Sequence, residues 1–238
     1  MVMRSRSTNW WPPRIPARNR CSGRPFKMPM RKGDRCVPKI AVYFSGYGHT
    51  AKQAEAVRAG AESVTNSVVT VYRINEFGHL PSGALEELDL ADAIIYGSPT
   101  YMGGPAWQFK KFADSSAKAF FARKWKDKLA AGFTNSASIN GDKYSTIQYF
   151  WTLSQQHGQV WIGTALLPAN MKANVPADVN WTAGFAGALA VSPSDASPDE
   201  APRSGDLETA KLLGRRVAEL ATRSREIVHG VKGVLADL

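Results

Sequence analysis

The strongest constraint on the fold is an alternation of short apolar runs with amphipathic stretches from residue 39 onwards. Apolar runs without polar alternation are typical of parallel strands that are buried on both faces of a sheet. Five such runs predict five strands: Lys39–Phe44, Val68–Ile74, Ala91–Gly97, Leu129–Phe133 and Gln159–Gly163.

The stretches between these runs predict helices, because their apolar residues recur every three or four positions. The pattern indicates helices at Ala51–Val64, from Pro105 through Phe112, at Tyr144–Gln156, and from Ser204 to Gly230 at the latest. Pro105 marks a start because proline is favoured at the first helical position.

Strands that alternate with helices predict an α/β protein with a doubly wound parallel sheet and helices on both faces. Five strands is the flavodoxin-like size, for which the strand order is 2-1-3-4-5. Ligands bind such sheets at the carboxyl ends of the strands, where the strand order reverses. The loops after the first, third and fourth strands are therefore the candidate binding loops.

The domain predicted over residues 39–238 contains one long segment without periodicity. Residues 164–205 hold five prolines and many small residues. A connection of this length is too long for an ordinary turn, so we expect a functional loop or an oligomer contact.

The net charge of +10 is concentrated in the first 38 residues. This segment holds ten Lys and Arg against one Asp, whereas residues 39–238 carry a net charge of only +1. Six prolines and the lack of periodicity predict a disordered extension over 1–38. An organelle transit peptide and a translation start placed too early, with Met28 or Met30 as the true first residue, are the alternatives; we favour the early start.

Composition also excludes several kinds of chemistry. The two cysteines, Cys21 and Cys36, lie in the extension, and the four histidines show no metal-binding spacing. We therefore expect neither a metal site nor a catalytic thiol. The chain has no apolar run near the roughly 18 residues of a membrane span and no secretory signal, so we expect a cytoplasmic protein.

The loop after the first strand, Ser45–Thr50, leads directly into a helix. Unpaired N–H groups at a helix N-terminus form an anion site, and glycines at 46 and 48 let the backbone approach a phosphate. The loop lacks the lysine of a nucleotide-triphosphate P-loop. It matches the short pattern G-x-G-x-x-A, which leaves open a Rossmann dehydrogenase that uses Glu76 as its ribose-binding acid.

The other two candidate loops have complementary features. Ser98–Pro105 combines an aromatic, a methionine and two glycines, which suggests a backbone wall beside a flat ligand. Thr134–Gly141 is small and polar, which suits hydrogen bonds to a ligand edge.

These motifs resemble those of the flavodoxin-like FMN oxidoreductases, and most closely the NAD(P)H:quinone oxidoreductases of the tryptophan-repressor-binding-protein type. The resemblance covers about residues 39–228 and is carried by Ser45–Thr50, Asp92–Tyr101 and Gln156–Gly158. Asp114 also matches an Asp of the family's third helix.

The resemblance implies an FMN-dependent enzyme in which the flavin performs the chemistry and no side chain is catalytic. It implies cofactor contacts from Ser45, Gly46, Tyr47, Gly48, His49, Thr50, Pro99, Thr100, Tyr101, Met102, Gly103, Asn135, Ser136, Ala137, Ser138, Ile139, Asn140 and His157. Tyr47 and Phe120 would contact the substrate, with Phe120 at the position of a family Trp. NADH or NADPH would donate electrons to a quinone-like acceptor, and the chain would form a homo-oligomer, a dimer or a tetramer.

Three other functions remain open from the residues. A flavodoxin-type electron carrier fits the same loops, although carriers are expected to be strongly acidic. A Rossmann dehydrogenase fits the glycine pattern but leaves the 98–104 loop without a role. A nucleic-acid binder rests on the basic extension alone, which makes it the weakest of the three.

Overall fold

A seven-stranded sheet is the frame of the protein. The computed structural model describes residues 42–44 and 46–236, with side chains from 43 to 225 except 45. The predicted extension over 1–38 and Ser45 of the first candidate loop lie outside the described residues. The strands in chain order are β1 (Val42–Phe44), β2 (Tyr72–Ile74), β3 (Ala93–Tyr101), β4 (Gly104–Pro105), β5 (Leu129–Ser136), β6 (Val160–Trp161) and β7 (Ala188–Val191).

The central strands are parallel and follow the order β2-β1-β3-β5-β6. In terms of the five predicted strands this is the order 2-1-3-4-5, so the flavodoxin-like prediction is confirmed. The Rossmann alternative is wrong at this level, because its order would place β2 inside the sheet rather than at its edge. β3 and β5 form the longest pair, from Ala93 opposite Leu129 to Pro99 opposite Asn135.

The place of the fifth predicted strand beside β5 is divided between two short strands, β6 within the predicted range and β7 farther along the chain. β6 pairs with Leu129 and Ala130, whereas β7 pairs with Phe133–Ser136 farther along the same edge. Residues 162–187 leave the sheet, and the chain then returns to the same edge of β5. The prediction of one long loop over 164–205 is therefore wrong where it includes β7.

The helices cover both faces of the sheet. They are α1 (His49–Glu62), α2 (Ala84–Asp89), α3 (Trp107–Ser115), α4 (Ala117–Phe121), α5 (Lys143–Gln156) and α6 (Ser204–Ala236). One core holds Val57, Leu213 and Val217 between α1, α6 and the sheet. The other core, on the opposite face, contains Phe109 and Phe150 from α3 and α5.

Two helix boundaries differ from the sequence prediction. Pro105 does not start a helix but belongs to β4, and α3 begins at Trp107 after an extended Ala106. The final helix continues past Gly230 and Gly233 to Ala236, and each glycine lowers helix stability by only about 1 kcal/mol. Across residues 42–44 and 46–236, the helices are too short or too polar to span a membrane.

Candidate functional site

Residues 46–50 of the first candidate loop, which we call the cradle, lie at the N-terminus of α1. Gly48 caps the helix in a left-handed conformation, with φ of +96°. Its carbonyl accepts the N–H groups of Ala51 and Lys52 at 3.0 and 3.1 Å. The first N–H groups of a helix have no partner within it, and no acidic residue of the first turn opposes an anion here.

Gly46 brings this cradle against the end of β3. A Cβ atom at Gly46 would lie 2.7 Å from the hydroxyl oxygen of Tyr101, so no larger residue fits without a shift. Tyr101 also contacts Tyr47 edge to face, with ring centroids 6.2 Å apart. Tyr47 is 79% exposed, which leaves an aromatic surface open beside the cradle.

A tight hairpin follows β3 and explains the glycines of the second candidate loop. Thr100 pairs with Pro105 and Tyr101 with Gly104, so Met102 and Gly103 are the two turn residues. Both have positive φ, +47° and +78°, as a type I′ turn requires. The Met102 side chain is fully exposed at the tip of this hairpin.

Thr100 does not present its hydroxyl to the cleft. The Thr100 Oγ1 atom lies 2.9 Å from Thr134 Oγ1 and 2.7 Å from Thr146 Oγ1, in a buried group of three hydroxyls. A hydrogen bond from Thr100 to a ligand would therefore come from its backbone rather than from its hydroxyl. The neighbouring Pro99 pairs with Asn135 and joins the second and third candidate loops.

The third candidate loop begins buried and ends exposed. Asn135 and Ser136 close β5, and the Asn135 Oδ1 atom accepts a hydrogen bond from the Ser192 hydroxyl at 2.9 Å. Residues 137–140, which comprise Ala137, Ser138, Ile139 and Asn140, are exposed. This loop thus lies at the same carboxyl-terminal edge as the cradle and the hairpin.

The segment 192–199 also reaches the cradle, and sequence reasoning missed it. The His49 Nε2 atom lies 3.0 Å from the carbonyl oxygen of Ala196, and Lys52 forms an ion pair with Asp199 at 2.9 Å. A Cβ atom at Gly48 would meet Pro198 at 2.7 Å. The composition of residues 164–205 marked the whole segment as unusual, but it did not indicate which part of the segment approaches the cradle.

A shallow hollow of about 400 Å³ adjoins Gly46 on the side of β2. It is lined by Phe44, Gly46, Arg73, Asn75, Glu76 and Phe77. Glu76 therefore lies near the cradle, as the dehydrogenase alternative required, although the strand order does not match that fold.

His157 and Phe120 lie at the opposite edge of the sheet, where β3 and β5 begin. His157 is 5% exposed, its Nε2 atom lies 2.9 Å from Ser116 Oγ, and its ring packs on Trp125 at 4.3 Å. The Phe120 ring contacts the His157 ring edge to face, with ring centroids 6.0 Å apart. The length of β5 separates this cluster from the cradle by about 25 Å. A single chain therefore does not bring His157 and Phe120 together with the cradle, and their contacts with flavin and substrate stay a prediction.

Burial explains the protonation state of His157. It lowers the pKa of the ring to about 4, and the carboxylate of Asp89 counteracts this only in part. The Nδ1 atom is buried without a hydrogen-bond partner in the described part of the chain. His157 is therefore neutral at physiological pH and packs as a core residue.

The strand order and the three loops at the carboxyl-terminal edge define a flavodoxin-like protein. No family model matches the chain. Individual proteins do: it is 47% identical to flavodoxin FldP of Pseudomonas aeruginosa, over 76% of this chain and 95% of the relative. It is 31% identical to an NAD(P)H dehydrogenase (quinone) of Aromatoleum aromaticum, over 76% and 94% of the two chains.

A solved structure agrees with these relatives. The WrbA-like flavodoxin of Agrobacterium tumefaciens is 45% identical, with a TM-score of 0.62 over 78% of this chain and 98% of that chain. The chain belongs to the WrbA-like flavodoxin family, as its motifs predicted. The prediction of an oxidoreductase agrees with the names of several relatives.

Proposed function

We propose that this chain binds FMN and transfers electrons from NADH or NADPH to a quinone or a similar acceptor. The observation that carries the proposal is the convergence of the cradle, the Met102 hairpin and the 137–140 loop at one sheet edge. The donor set fits FMN: Gly46 and Gly48 leave the space a Cβ would fill, and the helix N-terminus favours a phosphate. FMN, when bound, supplies the capacity to accept a hydride and pass electrons on.

The chain's own residues would bind and orient the cofactor. Gly46, Tyr47, Gly48, His49 and Thr50 would hold the phosphate, together with Ser45. Pro99, Thr100, Tyr101, Met102 and Gly103 would form the wall beside the ring, and Asn135–Asn140 would meet the ribityl chain and the ring edge. Tyr47 would lie beside the substrate, since it is the exposed aromatic next to the cradle. The described residues hold no group of three His, Cys, Asp or Glu suited to a metal.

The positions of Phe120 and His157 give the proposed homo-oligomer a specific role in the site. If these residues contact flavin and substrate as the family resemblance implies, they must come from a second copy of the chain. Co-expression of Gly48→Ala with Phe120→Ala tests this, because mixed oligomers would contain one intact site. Activity above that of either variant alone is expected; equal or lower activity contradicts it.

Reconstitution of the full chain with FMN tests the main proposal. The protein should retain FMN through gel filtration with a flavin absorbance spectrum, and should then oxidise NADH or NADPH when a quinone is present. If NAD(P)H and the quinone use one site in turn, double-reciprocal plots of rate against NAD(P)H at several fixed quinone concentrations should give parallel lines. A folded protein that retains no FMN would contradict the proposal. Residues 39–238 should suffice, and we propose a cytoplasmic location, where NAD(P)H is regenerated.

A flavodoxin-type electron carrier is the second candidate, favoured by the 47% identity to flavodoxin FldP. Such a carrier would bind FMN but would need a separate reductase. FMN retention without oxidation of NADH or NADPH is the result that selects it. The net charge of +1 over residues 39–238 instead favours the enzyme.

A further inference from the structure

Lys143 is a buried lysine whose ammonium group donates hydrogen bonds to the third candidate loop. It is the first residue of α5 and is 1% exposed. Its Nζ atom donates to the carbonyl oxygens of Ser138, Ile139 and Asn140, at 2.5, 2.8 and 3.3 Å. One ammonium group therefore holds three successive carbonyls.

This arrangement fixes the direction of the neighbouring N–H groups. In a planar trans peptide, the carbonyl of one residue and the N–H of the next point in opposite directions. Carbonyls 138–140 face the buried ammonium, so the N–H groups of Ile139, Asn140 and Gly141 point away from it. None of these three N–H groups donates to an acceptor within residues 42–44 and 46–236.

The charge of Lys143 has a counter-ion behind the loop. Asp206 of α6 is 2% exposed and accepts the backbone N–H of Val191 at 2.9 Å. Burial lowers the pKa of Lys143 to about 8, and the negative charge of Asp206 opposes that shift. Arg203 is the other charged group that acts on Asp206. Lys143 therefore keeps most of its charge at neutral pH, where it can hold the carbonyls.

We propose that Lys143 is a positioning residue that turns the carbonyls of residues 138–140 inward and thereby presents three N–H donors to the carbonyl-bearing edge of the flavin ring. The inference rests on the proposed function, since it takes the ligand of this edge to be FMN. Donors fixed in advance lose little entropy on binding, so the ammonium contributes to affinity without touching the ligand.

Two variants of Lys143 test the proposal against one control. Lys143→Met removes all three hydrogen bonds, Lys143→Gln keeps an amide donor, and Lys211→Met removes an exposed lysine of α6. Fluorescence titration should show both FMN and riboflavin bound on the order of tenfold more weakly by Lys143→Met, with a smaller loss in Lys143→Gln. Riboflavin lacks only the phosphate, so equal losses for both ligands place the effect at the ring or the ribityl chain and not at the phosphate. Lys211→Met should match wild type.

Hydrogen exchange in the flavin-free protein gives a readout that does not depend on FMN. The N–H groups of residues 139–141 should exchange at altered rates in Lys143→Met and Lys143→Gln, but not in Lys211→Met. In wild type, riboflavin affinity should fall as pH rises from 7 to 9, because Lys143 loses its proton while Asp206, whose pKa is about 6, keeps its charge. Because this last measurement uses wild type, it tests the role of Lys143 even if both variants fail to fold.

The outcomes separate the two proposals. Wild-type affinity for both flavins in Lys143→Gln or Lys143→Met, a loss confined to FMN, or riboflavin affinity independent of pH would overturn the role of Lys143. If wild type binds no flavin, the proposed function fails. The exchange of residues 139–141 then still decides whether Lys143 orients the loop.

Discussion

The two edges of the sheet are built from the same strands but in opposite ways. At the carboxyl-terminal edge, backbone groups are displayed and side chains such as Tyr47 and Met102 are left exposed. At the amino-terminal edge, Trp125 and His157 are buried against each other, and the Trp125 indole N–H donates to Asp89 at 2.9 Å. One edge therefore offers donors to a ligand, and the other closes the core.

Backbone conformations with positive φ occur at both edges. They fall at Gly48, Met102 and Gly103 among the candidate loops, and at Arg123 and Asp127 beside the buried Trp125. Such conformations cost energy for residues other than glycine, and they are found where a loop must take a particular shape. Because side chains close the core at the amino-terminal edge, changes to the buried Trp125 there should chiefly reduce stability, whereas changes at the carboxyl-terminal edge should chiefly reduce ligand affinity.

The largest expected effect is at the closed edge. Trp125→Ala should lower the free energy of unfolding by about 3–5 kcal/mol, because it removes a fully buried indole. Urea denaturation measures this, and Trp107→Ala, whose side chain is 59% exposed, should cost about 1 kcal/mol or less. Loss of FMN affinity without loss of stability would break the comparison.

The next effect is a pH dependence from His157. Its pKa is about 4 in the folded chain against 6.5 in the unfolded chain, so the unfolded state binds more protons between these values. The free energy of unfolding should therefore fall by about 2–3 kcal/mol as pH drops from 6.5 to 4. His157→Gln should remove this part of the decline, whereas His79→Gln, at an exposed site, should keep it. Identical pH profiles for the two variants would contradict the buried, neutral state.

At the open edge, Gly48→Ala should weaken FMN binding by on the order of tenfold, since φ of +96° disfavours alanine by about 1–2 kcal/mol. Pro198 must also shift. Riboflavin affinity should change much less, because the cradle holds the phosphate. Gly83→Ala is the matched control: it caps α2 at φ of +81° and has free space around it. It should cost similar stability and leave FMN affinity intact.

The smallest effect concerns the Met102 hairpin. Met102→Val should lower the free energy of unfolding by about 1 kcal/mol, because a β-branched residue tolerates φ of +47° poorly. Met102→Gly should lose no stability, since glycine adopts this conformation freely and the side chain is exposed. Thermal unfolding compares the pair directly. Equal losses for both variants would show that the side chain, not the backbone, matters here.

The fold was predictable because buried parallel strands have a plain sequence pattern. Ala93–Tyr101 and Leu129–Ser136 are buried almost throughout, and their apolar runs indicated this. The division of the last strand was not predictable, since the four residues of β7 are too short to stand out within a Pro- and Gly-rich segment. The hairpin at Met102 was missed because Pro105 also fits a helix start.

The candidate site was predictable where a loop follows a strand directly. Residues 46–50 and Asn135–Asn140 lie at the carboxyl-terminal edge because each segment directly follows a strand, whatever its side chains are. His157 and Phe120 follow helices that return to the other edge, so a motif match gave their identity without their location. No sequence pattern marks Lys143, because its proposed role depends on carbonyl groups that only the folded loop brings around it.

The divided last strand has a consequence for the order of folding. β6 can join β5 as soon as α5 has packed, but β7 must wait until residues 162–187 close a further loop, which costs chain entropy. Ser192 and Ala196, which hold Asn135 and His49, follow β7 in the chain. The contacts that hold Asn135 and His49 at the candidate site therefore depend on closure of the 162–187 segment.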